Sequence, residues 1–164
     1  MALTTAQLAT LKAAIVADPV LNGQPMTPDG AAFIAVELNK TATPDFWGYK
    51  PQINTDMIGK TVSYVAIAAM TTANLDRVNN FHILNPESFT GRDDVKTFLN
   101  DTFSGALGGA GQATRDALDL LLRRLVTRFE RLYATGTGST AAPGTVVVEG
   151  PVVYQTVETA RALP

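Results

Sequence analysis

Apolar residues recur every three or four positions along much of the chain, which is the spacing of amphipathic helices rather than of strands. Thr4 and Gln7 have the spacing of a capping box, and the apolar positions that follow them continue until Pro19. This pattern predicts a first helix over 5–17. A second helix is predicted over 29–39, where apolar residues are so dense that most of the helix surface should be buried.

The central part of the chain carries weaker signals. Residues 61–67 combine strand-forming side chains with an alanine-rich continuation, so a helix is favoured and a β-strand is the alternative. A glycine-rich stretch over 105–111 is typical of a flexible link. After it, five leucines and Phe129 at helical spacing predict the longest helix of the chain, over 112–134.

After residue 134 the composition changes to small and β-branched residues. A low-complexity linker over 135–144 leads into two valine-rich runs, 145–149 and 152–154, which predict short strands on either side of a Gly-Pro turn. A short helix is predicted over 156–163. An isolated hairpin is marginally stable in water, so its valines need another surface to pack against. The side chains expected to make that contact are Val146, Val147, Val148, Val152, Val153 and Tyr154.

Together these elements predict a mainly α protein. Its helical bundle forms a body over 1–134, and a C-terminal extended arm over 135–164 contains the short β-hairpin and the last helix. A chain of 164 residues is long enough for a body with a hydrophobic core of its own. Deletion of 135–164 is therefore expected to leave a folded body that has lost its interaction arm.

Two further features of the body allow either a structural or a binding interpretation. Three aromatic residues lie between two prolines over 44–51, where they either plug the end of the helical core or anchor an interface. Three arginines share one face of the predicted long helix, which is either a solvated face with pairs inside the helix or a surface that docks onto an acidic partner. The candidate interface residues of the body are Phe46, Trp47, Tyr49, Arg124, Arg128 and Arg131.

The composition excludes several kinds of chemistry. The chain has no cysteine and one histidine, so it can build neither thiolate sites nor paired-histidine zinc motifs by itself. Its glycine-rich stretch lacks the GK[ST] ending of a phosphate-binding loop. One acid–base cluster can be drawn, from His82 with Asp93, Asp94 and Asp101, but the spacing fixes no geometry. We therefore predict no catalytic residue, no metal site, no cofactor and no enzymatic activity.

Charge and hydropathy narrow the class of partner. The net charge of −2 and a sequence pI near 5.3 argue against a general nucleic-acid binder. No apolar run reaches the roughly 18 residues of a membrane span, and the first residues lack the basic and apolar regions of a signal peptide. We expect no membrane contact, and synthesis in the cytoplasm of the cell that makes the protein.

Three segments of the chain carry a family resemblance. They are the opening 1–20 (MALTTAQLATLKAAIVADPV), the segment 43–47 (TPDFW), and the ending, which contains 127–140 (TRFERLYATGTGST), EGP from Glu149 and YQTV from Tyr154. This chain resembles small virion proteins of tailed bacteriophages and prophages, and among them it is most similar to a head-to-tail adaptor, also called a connector or head-completion protein. The likeness covers both ends of the chain and extends loosely over 50–110.

The resemblance implies a structural role in the neck of the virion, between head and tail. Such adaptors form a ring, commonly of about twelve copies, that joins the portal protein to the tail or to the next neck protein. The resemblance implies that the helical body builds the ring and that the C-terminal arm grips the portal. Genomic DNA is expected to pass through the centre without sequence-specific contact, so we expect the three arginines to face a protein partner rather than the channel.

Two other classes of function remain open from the sequence. One is a tail-side or capsid-associated structural protein, although decoration and tail-tube proteins need many more strands than this chain offers. The other is a small phage regulatory binding protein, which would be absent from purified particles.

Overall fold

The protein divides into two compact units. The computed structural model describes residues 2–49, 61–62, 64–76, 100–103 and 108–164. Unit 1 combines Met1–Gly48 with Leu125–Pro164, and unit 2 is Tyr49–Arg124. Helices supply most of the regular structure and the strands are two or three residues long, so the predicted mainly α class is confirmed.

The first two helices, α1 (Thr5–Ala17) and α2 (Pro19–Asn22), are separated by a single residue, Asp18. Thr4 Oγ1 accepts the amide of Gln7 at 3.3 Å, and Gln7 Oε1 accepts the amide of Thr4 at 2.8 Å. The predicted capping box and the helix over 5–17 are therefore confirmed. Asp18 ends α1 and caps α2, because its carboxylate accepts two amides from the first turn of α2 at 2.9 and 3.2 Å.

The third helix, α3 (Pro28–Leu38), begins at Thr27, whose hydroxyl accepts an amide of the first turn at 3.3 Å. One face of α3 is buried, but Phe33 and Val36 are 42% and 61% exposed on the opposite face. The expectation that most of this helix surface is buried is therefore wrong for one side. The buried side consists of Gly30, Ala31, Ile34, Ala35 and Leu38.

The remaining described elements are shorter, apart from one helix in unit 2. In chain order they are β1 (Trp47–Tyr49), α4 (Tyr64–Ala68), α5 (Gly108–Leu122), β2 (Arg123–Leu125), α6 (Arg128–Arg131), β3 (Ala134–Thr135), β4 (Thr145–Val146) and α7 (Tyr154–Arg161). β3 and β4 pair antiparallel, with Ala134 opposite Val146 and Thr135 opposite Thr145. In unit 2, α4 contacts α5.

The last helix, α7, completes the core of unit 1 by packing on α1 and α3. Asn39, at the end of α3, binds Val152 just before α7 begins, and Arg161, at the end of α7, binds the carbonyl of Pro25 just before α3. These contacts show that α7 runs antiparallel to α3. The core of unit 1 consists of Leu11, Ile15, Leu21, Ala31, Ile34, Ala35, Leu38, Phe129, Val148, Val152, Val157 and Ala160.

The predicted long helix over 112–134 is wrong, because the chain leaves the helix after Leu122. The backbone of Val126 forms its hydrogen bonds outside any helix. Its amide donates to the carbonyl of Phe46, and its carbonyl accepts from the amide of Ala42, both at 3.0 Å. A new capping box at Thr127 then starts α6. The helix also begins earlier than predicted, since residues 108–111 are helical, while 105–107 lie outside the described residues.

The predicted β-hairpin exists, but its strands are displaced. It pairs 134–135 with 145–146, so the predicted linker is the loop of the hairpin. The predicted strand over 152–154 is wrong, because Val152 is bound to Asn39 and Tyr154 starts α7. For residues 61–67 the structure shows a helix from Tyr64 and a bend at Val62, so no strand forms in the described part of this segment and the strand alternative is wrong there.

The C-terminal segment is not extended in this structure. Its buried valines and Ala160 belong to the same core as buried residues of α1 and α3. The two units divide the chain after Gly48 and Arg124, rather than at the predicted body–arm boundary after 134. The physical reason is that an apolar segment gains more by filling the core of its own chain than by staying exposed to water.

Candidate interaction surface

The predicted interface valines divide into an inward set and an outward set. Val148 and Val152 are 2% and 4% exposed and belong to the core of unit 1. Val147 and Val153 are 69% and 51% exposed, and Tyr154 is 41% exposed. The structure therefore contradicts the idea that all these valines await a partner. Val146, the remaining member, is half-buried against a small cluster formed by Ala42, Phe46 and Val126.

Asn39 holds the chain immediately before α7. Its amide nitrogen donates to the carbonyl of Val152 at 2.8 Å, and its carbonyl oxygen accepts the amide of Val152 at 2.9 Å. Both backbone groups of a buried residue are thus satisfied by one side chain. This two-sided contact fixes the position at which Val153 and Tyr154 turn outward.

The buried side chain of Glu130 fixes the turn at Gly150, just before Val152. Its two carboxylate oxygens accept the amides of Thr127 and Gly150, each at 2.9 Å. The first bond belongs to the capping box of α6, while the second ties a turn twenty residues further along the chain. Gly150 has φ +94°, a conformation that favours glycine, so the turn depends on this residue type.

Two basic side chains hold the other end of α7. Lys12 Nζ donates to the carbonyl of Leu163 at 2.5 Å. Arg161 donates to the carbonyls of Gln24 and Pro25 at 2.6 and 2.8 Å. The segment 147–164 is therefore anchored at both ends, and its outward side chains are presented from a fixed backbone.

Within the aromatic segment 44–51, Phe46 packs in a buried cluster of unit 1. Phe46 is 7% exposed, and a Cβ added at Gly138 or Gly144 would lie 2.2 or 2.4 Å from its ring, so two glycines of the hairpin loop close over it. Trp47 is half-buried, and its backbone binds Gly138 and Gly144 at 2.7 Å each. The candidate interface role of Phe46 is therefore not supported by its burial. Tyr49 is half-buried in β1.

The three arginines do not share a helix face, because the predicted helix is broken between them. Arg128 donates to Asp18 at 2.6 Å and lies 3.9 Å from Glu37. Arg131 donates to the carbonyl of Pro44 at 2.9 Å and lies over the ring of Phe46, 5.7 Å from its centroid. Both therefore bind parts of their own chain. Arg124 lies half-buried in β2.

Among the residues that the structure describes, Asp18 and Tyr133 have shifted pKa values. The hydrogen bond from Arg128 holds the pKa of Asp18 below its ordinary value, and amides of α2 add to this effect against a smaller opposing effect of desolvation. Burial raises the pKa of Tyr133 to about 12. The Tyr133 hydroxyl donates to the carbonyl of Gln7 at 2.8 Å, a bond that requires the protonated form. Both groups connect structural elements of unit 1, Asp18 to Arg128 and Tyr133 to Gln7.

The described residues contain no group of three or more acidic or histidine side chains placed to hold a metal ion. Of the acid–base cluster drawn from the sequence, Asp101 is exposed, and His82, Asp93 and Asp94 lie outside the described residues. A shallow groove of about 240 Å³ lies between the N-terminal segment and α7. It is lined by Ala2, Leu3, Leu8, Gln155, Thr156 and Thr159, which offer no titratable group for catalysis.

Two of the side chains that organise this surface, Asn39 and Glu130, were not singled out from the sequence. Thr127 and Glu130 have capping-box spacing, so the first of the two bonds of Glu130 could have been predicted. Its bond to Gly150 and the contact of Asn39 with Val152 join residues 20 and 113 positions apart. No local pattern signals contacts of that range.

In comparisons with known proteins, no family model matches the chain, and no curated protein or solved structure matches it significantly. Among the residues that the structure describes, no helix is both long and apolar enough to cross a membrane.

Proposed function

We propose that this protein is a structural component of a tailed-phage virion, in the position of a head-to-tail adaptor. In this role a ring of copies joins the portal to the tail or to the next neck protein, and DNA passes through its centre. The sequence resemblance of both chain ends supports the assignment. The mainly helical architecture is compatible with it.

The structural observation that carries the proposal is the outward set of the C-terminal segment. Val147, Val153 and Tyr154 are substantially exposed, although their neighbours Val148 and Val152 are anchored in the core. Exposed apolar and aromatic side chains on a fixed backbone are suited to protein contacts, because little conformational entropy is lost when they bind. We assign the portal contact to these three residues, in place of the whole predicted arm.

In a ring, contacts that are weak one by one are sufficient to bind the portal firmly. If each copy places one small apolar contact on the portal, the copies act together, and the effective concentration of the later contacts is high once the first has formed. The outward set is small compared with a stable two-protein interface, which typically buries about 1,600 Å². We therefore expect a single copy to bind the portal weakly and the ring to bind it strongly.

The first test is the composition of purified phage particles. An adaptor is present in mature virions in a number of copies that matches the symmetry of the ring, and it co-purifies with the portal after gentle disruption. Mass spectrometry of purified particles measures both. Absence of the protein from the particles overturns the virion assignment and favours a regulatory binding protein instead.

The second test addresses the outward set directly. A chain carrying Val147→Ser and Val153→Ser is expected to bind the portal protein of the same phage at least about tenfold more weakly, since two exposed apolar contacts are removed. The matched control carries Val16→Ser and Val20→Ser, two valines of similar exposure, 55% and 59%. Equal binding by both double variants rules out this surface as the portal contact.

Point substitutions are preferable to deletion in this experiment. Removing 135–164 takes Val148, Val152, Val157 and Ala160 out of the core of unit 1. Loss of binding after such a deletion could reflect unfolding alone. The exposed valines can be changed without opening the core, and urea unfolding of each variant verifies that its stability is not reduced; Val153→Ser can even add a cap to α7, because Val153 precedes this helix without a capping side chain.

A further inference from the structure

The exposed face of α3 has a pattern that the adaptor role does not use. Asp29, Phe33, Val36 and Lys40 are separated by four, three and four residues, so they form one stripe along the helix and its C-terminal extension. All four are exposed, and the Lys40 side chain is 58% accessible. The stripe therefore presents an acid, two large apolar side chains and a base to solvent, in that order.

This stripe is complementary to itself. The midpoint between Asp29 and Lys40 is also the midpoint between Phe33 and Val36, and it falls between residues 34 and 35. A twofold axis at that point sets two copies of the stripe antiparallel, with each acid opposite the base of the other copy and each Phe33 opposite a Val36. A twofold contact needs this kind of reciprocal pairing, in which residue i meets j and j meets i.

The charges at the two ends of the stripe differ in their contacts within the chain, so a second copy would have to compete with Glu37 for Lys40. Asp29 forms no ion pair with any residue that the structure describes. Lys40 pairs with Glu37, but Glu37 also lies 3.9 Å from Arg128, so the carboxylate is shared between two cations. The helix dipole accounts for an acid at the start and a base at the end of α3. It does not account for two large apolar side chains exposed between them.

We propose that α3 is the docking site for α3 of a second copy of this chain, packed antiparallel about a twofold axis. Asp29 then pairs with Lys40 of the second copy at both ends, and the apolar pairs fill the centre. The charged ends lie about 16 Å apart, so the contact is one helix pair and smaller than a standard interface. The dimer is accordingly expected to be weak and concentration-dependent. The proposal is independent of the adaptor role.

The decisive experiment uses two charge reversals, Asp29→Lys and Lys40→Asp, in the full chain. Each variant alone places like charges opposite one another at both ends of the twofold contact, so self-association should fall at least about tenfold. An equimolar mixture of the two variants restores opposite charges at both ends of a heterodimer. Sedimentation equilibrium of the wild type, each variant and the mixture measures the association constants.

The expected result is a dimerising wild type, two monomeric variants and a mixture that dimerises to within about threefold of the wild type. This reciprocal rescue cannot arise from unfolding, since misfolded variants do not restore one another. Phe33→Ser should weaken the dimer without changing charge, whereas Val16→Ser, at an exposed valine of α1, should not.

Three results overturn the proposal. They are a wild type that stays monomeric at high concentration, a dimer unaffected by the charge reversals, and a mixture that fails to associate. Sedimentation equilibrium also distinguishes a ring of many copies from a dimer, because the two assemblies differ in mass. If the ring is insensitive to both reversals, α3 is not a self-association site, while the adaptor role itself is untouched.

Discussion

Asn39 offers the sharpest test of how the C-terminal segment is held. We consider its replacement by aspartate, which keeps the size and shape of the side chain. One carboxylate oxygen can still accept the amide of Val152, as the amide oxygen does at 2.9 Å. The second oxygen replaces the nitrogen that donates to the carbonyl of Val152 at 2.8 Å, so two acceptors face each other in Asn39→Asp.

The cost follows from the burial of the contact. Val152 is 4% exposed, so water cannot readily take over the lost hydrogen bond. A buried acceptor without a donor costs about 1–3 kcal/mol, and repulsion between the two oxygens adds to it, giving about 2–4 kcal/mol for Asn39→Asp at neutral pH. Asn39→Ala strands both groups of Val152 and should cost about the same at every pH.

Protonation distinguishes the two variants. A protonated aspartic acid carries a hydroxyl that can donate to the carbonyl of Val152, so the folded state of Asn39→Asp favours the protonated form. The pKa of the introduced group is therefore raised in the folded state relative to the unfolded state. Its stability deficit should be small below the ordinary aspartate pKa of about 4 and should grow as the pH rises through the raised value.

The assay is urea unfolding followed by circular dichroism at neutral pH and near pH 3, with each variant compared with the wild type at the same pH. Asn22→Asp is the matched control, because Asn22 is an exposed residue at the end of α2 and undergoes the same chemical change. The reasoning is refuted if Asn39→Asp is as stable as the wild type at neutral pH, or if its deficit does not shrink in acid.

Three further predictions concern other contacts of unit 1. Gly138→Ala should destabilise the protein by about 2–4 kcal/mol in urea unfolding, because φ is +63° and the new Cβ would lie 2.2 Å from the ring of Phe46. Gly150→Ala should cost only about 1 kcal/mol, because its φ is +94° but the space around it is open. Burial raises the pKa of Tyr133 to about 12 in the folded state, so the stability that comes from keeping it protonated is present below the unfolded value of about 10 and is lost as the pH rises through the folded value. Between neutral pH and about pH 12 the wild type should therefore lose more stability than Tyr133→Phe, which cannot ionise. Because the folded-state pKa of Asp18 is lowered, its contribution is present above its ordinary value of 3.8 and disappears as the pH falls through the lowered value, so Asp18→Asn should be less stable than the wild type at neutral pH and equal to it in strong acid. A constant difference across this pH range would contradict the role of Asp18.

The N-terminal helices could be predicted from the sequence because the contacts that determine them are local. The capping box of Thr4 and Gln7 and the stop at Pro19 lie within the helix they define, so α1 could be predicted to the residue. The second predicted helix, over 29–39, matches α3 within one residue at each end, although the structure begins the helix at Thr27 and Pro28, which the prediction had not used. A small hairpin was also expected, although its strands were displaced.

The candidate surface was predictable in composition but not in detail. That the valine-rich C-terminal segment is a place of contact with a partner stays a prediction. Which valines face outward was not predictable, because Val148 and Val152 pack against α1 and α3, more than 100 residues earlier in the chain. The adaptor proposal therefore shifts from the whole arm to Val147, Val153 and Tyr154.

The amino-acid sequence by itself determined the helical class, the start and end of the N-terminal helices, and the absence of cysteine chemistry. Helix propensity and caps act over three or four residues, so these features need no knowledge of the rest of the chain. Tertiary structure decided where the predicted long helix breaks and where the C-terminal segment lies. At Val126 the backbone pairs with Ala42 and Phe46, and at Val152 it pairs with Asn39. Contacts of that range override local preference because they bury apolar side chains and satisfy backbone groups at once.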